Sequence, residues 1–310
     1  MNIPVDYINT LGVNSSLNFT INRITFAKHL AMAGQGFAPR PSKLFRTLGM
    51  ALHYSNYLQR DAFYNNRFST PPDGLSDPTE KGQFSNLAGK AIADYLSKRI
   101  DNSLLTVNYE AVMRLRGIPI IGQRPDLLAY TSPRSRFAIE AKGFSNGAGN
   151  MRNHKIQANS GNHIIPVSFS VASVSYNIYN SIRCNYHDPF NENVIIDEGD
   201  LKEISKQYYS GFAEFLDNDY FEVSQQTYGE ERFYEVSLSY RQFRKTFKDN
   251  FRFSSFMLHD FFDIYRPRLI IPIDVVEYSK YGITNQTKPF RYIQEKNRYI
   301  DNDRIGLAIG

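Results

Sequence analysis

The chain has 310 residues, of which 42% are hydrophobic and 22% charged, with 19 Gly and 14 Pro. That composition excludes a collagen-like or wholly disordered chain, and the length allows about two domains or one core with large insertions. The single cysteine, Cys184, excludes an internal disulfide framework and a cysteine-rich zinc site, and a net charge of +5 with a pI near 9.0 is compatible with a polyanionic partner.

The N-terminus, Met1 to Asp6, has no basic region followed by an apolar core, so no signal peptide is expected. No stretch reaches the roughly 18 apolar residues of a membrane span. The expected setting is the reducing cytoplasm, with no membrane partner. There is no internal repeat and no low-complexity tract.

The predicted elements fall into three regions. The first, residues 1–77, reads as mostly helical. Helical spacing runs from Asn22 to Ala33 and from Ser42 to Tyr64, separated by a turn at Gly34-Gln35-Gly36. A loop of turn-forming residues, Ser69 to Gly74, closes it.

The second region, residues 78–177, opens with Pro78-Thr79-Glu80, a helix start with proline and an early acid. Phe84, Leu87, Ala88, Ala91, Ile92, Tyr95 and Leu96 form the apolar stripe of that helix. Strand-like runs follow at Leu104 to Met113, Arg124 to Thr131 and Arg136 to Lys142. Ser132-Pro133-Arg134-Ser135 is a turn that makes the last two a hairpin. A glycine-rich loop, a short polar helix from Met151 to Ser160 and a buried strand from His163 to Ser175 complete the region.

The third region, residues 178–310, carries an amphipathic helix from Leu201 to Phe215 and strands at Phe233 to Leu238 and Leu269 to Val276. A basic helix is expected from Tyr240 to Lys248. Arg241, Arg244, Lys245 and Lys248 share one of its faces, opposite Tyr240, Phe243 and Phe247. Such a face suits a phosphate backbone, or is an ordinary solvated surface.

The chemistry is concentrated in Gln123-Arg124-Pro125-Asp126 and in Glu140-Ala141-Lys142. Residues two apart on a strand point to one face, so Glu140 and Lys142 project together. In the hairpin Asp126 can lie beside Glu140. Two carboxylates and one ammonium then converge, which suits a hard divalent cation such as Mg²⁺ that takes one or two carboxylates from the protein. The competing reading is a surface hairpin whose Glu140 and Lys142 form an exposed ion pair.

This arrangement resembles the PD-(D/E)xK nuclease superfamily, which includes restriction endonucleases and DNA repair nucleases. The match is Pro125-Asp126, thirteen intervening residues, then Glu140-Ala141-Lys142, within about 100 residues of the chain. The resemblance implies an α/β fold with a mixed sheet and an αβββαβ core, the order read above for residues 78–177. The helical N-terminal and mixed C-terminal regions would then be accessory, serving DNA contacts or oligomerisation. It implies Asp126 and Glu140 as metal ligands, the Ala141 carbonyl as a further ligand, and Lys142 as the residue that positions the attacking water. Glu80 fits the glutamate that many members carry on the first core helix. Gln157 and Lys155 fit the polar positions on the helix after the catalytic strand, with Gln157 at the metal site or scissile phosphate, and Lys155 and Arg152 on the DNA backbone. One departure concerns the RecB-like branch, where a tyrosine usually follows that glutamine by four residues. Here the position is Gly161.

The implied activity is a Mg²⁺-dependent DNA endonuclease, with Mn²⁺ as a substitute ion, in restriction or prokaryotic defence. It would act as a homodimer or with partner subunits. The alternative is a non-catalytic nucleic-acid-binding or scaffold subunit of a larger complex that keeps a nuclease-like fold. A third reading is a nuclease for RNA or single strands. The six histidines show no HExxH or His-x-His spacing, and no GxxxxGK[ST] loop occurs.

Overall fold

A computed structural model describes residues 1–33, 36, 66–71, 76–191, 199–239, 266–284 and 287–310. The helix expected from Ser42 to Tyr64, most of the Gly34–Gly36 turn, part of the loop at 69–74, and the basic helix with Arg241, Arg244, Lys245 and Lys248 lie outside the described residues.

The architecture is mixed α/β. A seven-stranded sheet is built from β1 (Asn2–Ile8), β2 (Asn14–Thr20), β3 (Leu105–Asn108), β4 (Leu127–Ser132), β5 (Ser135–Gly143), β6 (Phe169–Tyr176) and β7 (Arg183–Asn191). Its order is β2-β1-β7-β6-β5-β4-β3. The pairs β1–β7 and β5–β6 are parallel and the others antiparallel. The N-terminal segment, expected to be mostly helical, thus opens with two strands that extend this sheet. A second sheet, wholly antiparallel, contains β8 (Phe221–Tyr228), β9 (Glu231–Leu238), β10 (Arg268–Pro272), β11 (Ile293–Gln294), β12 (Arg298–Ile300) and β13 (Gly306–Ala308).

Six α-helices pack on these sheets among the described residues: α1 (Arg23–Met32), α2 (Pro78–Ile100), α3 (Tyr109–Leu115), α4 (Met151–Ser160), α5 (Gly199–Ala213) and α6 (Val275–Tyr281). None is long and apolar enough to cross a membrane. Local chemistry sets their starts. Asp77 caps α2 by accepting from the Thr79 and Glu80 amides, with Pro78 in the first turn. Asn22, Asn108 and Asn150 cap α1, α3 and α4 in the same way.

Three strands depart most from the sequence reading. The strand expected from Leu104 to Met113 stops at Asn108, because the Asn108 side chain accepts from Ala111 N–H and starts α3. Tyr109, Val112 and Met113 are buried at helical spacing. A strand expected from His163 begins only at Phe169, after the 3₁₀ turn Gly161–His163. The strand expected from Leu269 to Val276 ends at Pro272, which cannot donate to a continuing ladder, and α6 follows. From residue 78 the order is therefore helix, strand, short helix, two strands, helix, strand.

Alternation along the central strands feeds two apolar cores. Leu127, Ala129, Phe137, Ile139 and Ala141 face Phe84, Ala88, Ala91, Ile92 and Leu96 of α2. Leu128, Tyr130 and Ala138 face the opposite way, toward Tyr109, Val112, Ile165 and the apolar side of α5. Cys184 is buried in the first core, with burial pushing its thiol up to about 11.

A buried ionic network ties the two ends of the chain together. Lys28 of α1 lies 2.7 Å from Asp301 Oδ2 and 2.9 Å from Asp303 Oδ2. Lys98 of α2 lies 2.9 Å from both of those carboxylates and 3.7 Å from Asp94 Oδ1. Arg99 reaches Asp301 Oδ1 at 3.2 Å. His29 bridges Asp94 and Tyr299, and burial lowers its pKa despite both Asp301 and Asp94. With that histidine neutral, three cations face three carboxylates, the balance that buried charges need.

Candidate metal centre and its cleft

Asp126 stands immediately before β4, held by its backbone on both sides. Its N–H donates to the Ile139 carbonyl at 3.0 Å, and its carbonyl accepts from Tyr109 N–H at 3.1 Å. With Leu127 paired to Ile139 in the antiparallel register, Asp126 lies opposite Glu140. Asp126 Oδ2 accepts from Ala141 N–H at 3.2 Å. Ala141 therefore meets the site through its amide, which holds the aspartate in place.

Glu140 and Lys142 lie two apart on β5. The Glu140 side chain is 0% exposed, whereas Lys142 is 28% and Asp126 24% exposed. The exposed-hairpin reading fails on that burial. Lys142 Nζ lies 3.5 Å from Asp126 Oδ2 and makes ion-pair contact with Glu140 Oε1. Lys142 supplies the pairing of Glu140 Oε1, and Oε2 has no hydrogen-bond partner among the described residues. Burial, and then the Asp126 charge, push the Glu140 carboxyl up to about 8 against the pull of Lys142 and Lys90. Burial also pulls Lys142 down, but Asp126 and Glu140 outweigh it and raise its pKa.

Sequence reasoning missed Lys90. This α2 residue places Nζ 3.1 Å from Asp126 Oδ1. The close approach comes from two glycines. A Cβ on Gly89 would strike the Lys142 backbone, and one on Gly143 would strike the Ser85 carbonyl. Helix and strand end thus meet backbone to backbone. Only a tertiary contact brings Lys90 in, so no local spacing announces it. Glu80 sits in the first turn of the same helix. It stands ten residues before Lys90, about 15 Å along the axis, and Lys90 is the α2 residue brought against Asp126.

Gln157 is brought toward Asp126. Its Nε2 donates to the Arg124 carbonyl at 3.3 Å. Both residues line a cleft of about 390 Å³ together with Asn108, Glu110, Gln123 and Asp126. Arg124 Nε donates to Glu110 Oε1 at 2.8 Å, so one cleft wall is an ion pair between the β4 approach and α3. On α4, Arg152 is exposed and Lys155 half-buried. The Lys155 charge adds to the burial that holds His187 of β7 down at about 4. His154, which also follows the glycine-rich loop, packs against the Phe144 ring at 5.6 Å. Its Nε2 is buried without a hydrogen-bond partner, and burial followed by the Lys142 charge lowers its pKa.

Gly161 has a structural reason. A Cβ there would come within 2.6 Å of Pro125 Cδ and 3.0 Å of the Tyr109 hydroxyl. The Tyr109 hydroxyl donates to the Gly161 carbonyl at 2.6 Å and accepts from Ile165 N–H at 3.1 Å. A side chain at 161 would push away the proline that precedes Asp126. The space a tyrosine would need is filled by Tyr109 and Pro125.

No group of three or more His, Cys, Asp or Glu side chains is gathered to hold a metal ion among the described residues. The centre offers two carboxylates, Asp126 and Glu140. That set fits a hard divalent cation that fills its remaining positions with water or substrate oxygens. The buried Glu140 Oε2, without a hydrogen-bond partner among the described residues, is what such an ion would satisfy. In comparisons with known proteins, no family model, no curated protein and no solved structure matches the chain.

Proposed function

We propose that the chain is a Mg²⁺-dependent nuclease with a restriction-endonuclease-like core, hydrolysing DNA phosphodiester bonds within the strand. The observation that carries this reading is Glu140. It is a fully buried carboxylate whose Oε1 pairs with Lys142 and whose Oε2 has no hydrogen-bond partner among the described residues, opposite Asp126, which lines the cleft. Leaving one oxygen of a buried carboxylate unpaired costs on the order of 1–3 kcal/mol, a cost that binding sites tolerate and cores avoid.

Asp126 and Glu140 would hold the ion, with Mn²⁺ as a substitute for Mg²⁺. When bound, the ion supplies Lewis-acid neutralisation of charge developing on the phosphate. Lys142 stands between the two carboxylates, where its ammonium can orient the attacking water and stabilise the anionic transition state. The Ala141 amide keeps Asp126 aligned. Gln157, whose side chain lines the same cleft, would donate to a phosphate oxygen. Arg152 and Lys155 on α4, and Arg241, Arg244, Lys245 and Lys248 further along, would add contacts to the DNA backbone. Restriction or another prokaryotic defence role, as a homodimer or a subunit of a complex, is the setting such an enzyme suits.

One observation favours a second reading. Each carboxylate here is already in ion-pair contact with a lysine, Asp126 with Lys90 and Lys142, and Glu140 with Lys142. A nucleic-acid-binding subunit without catalysis would tolerate such self-paired charges. Cleavage of supercoiled plasmid and linear duplex separates the two, with Mg²⁺ or Mn²⁺ against EDTA. Metal-dependent cutting that is lost in Glu140→Ala and Lys142→Ala supports the nuclease. DNA binding that ignores both EDTA and loss of Glu140, with no cutting by the wild type, supports the binding subunit.

A further inference from the structure

We propose that Lys90 is the second cation of this site, holding Asp126 while no metal is bound and passing to the substrate phosphate when a divalent ion takes the aspartate. The inference rests on the metal-centre reading above and extends it to a residue on a different element.

Three observations carry it. First, Asp126 is shared: Oδ1 faces Lys90 at 3.1 Å, while Oδ2 receives the Ala141 amide and faces Lys142. A metal ion approaching Oδ1 must displace the Lys90 ammonium. Second, the displaced ammonium has somewhere to go. Lys90 is 26% exposed and Asp126, which lines the cleft, is 24% exposed, so both border solvent. Its backbone cannot retreat, because Gly89 is pressed against the Lys142 main chain. The side chain alone can swing, and it stays near the carboxylates.

Third, the charges call for it. The described residues offer two carboxylates and no third metal ligand of the His, Cys, Asp or Glu type, a set for one divalent ion rather than two. With both carboxylates ionised and one ion bound, Lys142 alone would leave the centre at one positive charge. Lys90 raises it to two, matching a phosphodiester that gains negative charge on attack. An ammonium on a rigid helix thus does the electrostatic work that a second ion does in two-metal sites.

The role has a signature that simple structural support lacks. Losing Lys90 removes a competitor and a repelling charge from the metal site, so metal affinity should rise while cleavage falls. The test is calorimetric titration of Mn²⁺ into the full-length protein without DNA, beside Mn²⁺-dependent plasmid cleavage. Variants are Lys90→Ala, Lys90→Gln, Lys90→Arg and Glu140→Ala, with thermal melting to confirm folding. We expect Lys90→Ala and Lys90→Gln to bind Mn²⁺ about tenfold tighter and to cut at least about tenfold more slowly. Lys90→Arg should stay near wild type in both. Unchanged or weaker Mn²⁺ binding in the neutral variants overturns the proposal, and so does tighter binding with undiminished cleavage. Wild-type Mn²⁺ binding that disappears in Glu140→Ala upholds the metal centre whatever Lys90 does. A wild type that binds no Mn²⁺ overturns both.

Discussion

Lys98→Met should unfold a large part of the stability margin, although the residue lies outside the cleft. Lys98 is fully buried, its ammonium 2.9 Å from Asp301 Oδ2 and from Asp303 Oδ2 and 3.7 Å from Asp94 Oδ1. Methionine matches its length but leaves three carboxylates facing only Lys28 and Arg99. Breaking a buried pair in this way costs about 3–5 kcal/mol, because one charge stays buried and uncompensated. Against a total of roughly 5–15 kcal/mol that is a major loss. Urea unfolding followed by circular dichroism measures it. The double variant Lys98→Met/Asp303→Asn supplies the control, since removing one carboxylate restores the balance while the amide oxygen can still accept from Tyr208. The double variant should recover at least about 1 kcal/mol relative to the sum of the singles. A loss below about 1 kcal/mol for Lys98→Met, or strictly additive singles, refutes the charge-balance reasoning.

Gly161→Ala should cost about 1–3 kcal/mol by overpacking against Pro125 and Tyr109, and should lower cleavage by shifting Asp126. Melting and plasmid assays read the two effects, and an alanine variant as stable and active as wild type would remove the packing argument. The stability difference between Asp188→Asn and wild type should change with pH. Burial and then Asp101 push the Asp188 carboxyl up to about 8, and burial pushes Asp101 up to about 6 despite its hydrogen bond from Tyr186. A carboxyl raised in the folded state stabilises below its unfolded pKa of 3.8, and that stability drains away as pH climbs toward 8. Asp188→Asn should therefore gain on wild type steadily from pH 5 to pH 8 in chemical denaturation, whereas a pH-independent gap would contradict the assignment.

The pairing of Asp126 with Glu140 and Lys142 was legible in the chain itself. A proline–aspartate step, a turn and a two-residue spacing on a strand are local features, and strand alternation alone places Glu140 and Lys142 on one face. Helices α2 and α5 were legible for the same reason, since apolar periodicity acts within a few residues, and α4 was read as a short polar helix after the glycine-rich loop. Strand β8 was not, because it is exposed along nearly its whole length and shows no buried alternation. Strand β7 carries Asp188 and Pro189, which local propensity places outside strands.

By itself, then, the sequence determined the local grammar: where helices start, which strands alternate, and that two carboxylates and a lysine share a hairpin. Tertiary structure decided what surrounds them. Glu140 is buried on β5, a strand flanked by β4 and β6 inside the sheet, and Lys90 reaches Asp126 because two glycines let a helix touch a strand end. Lys28 meets Asp301 across 273 residues of chain. Burial and long-range charge pairing depend on how distant segments pack, and no window of neighbouring residues contains that information.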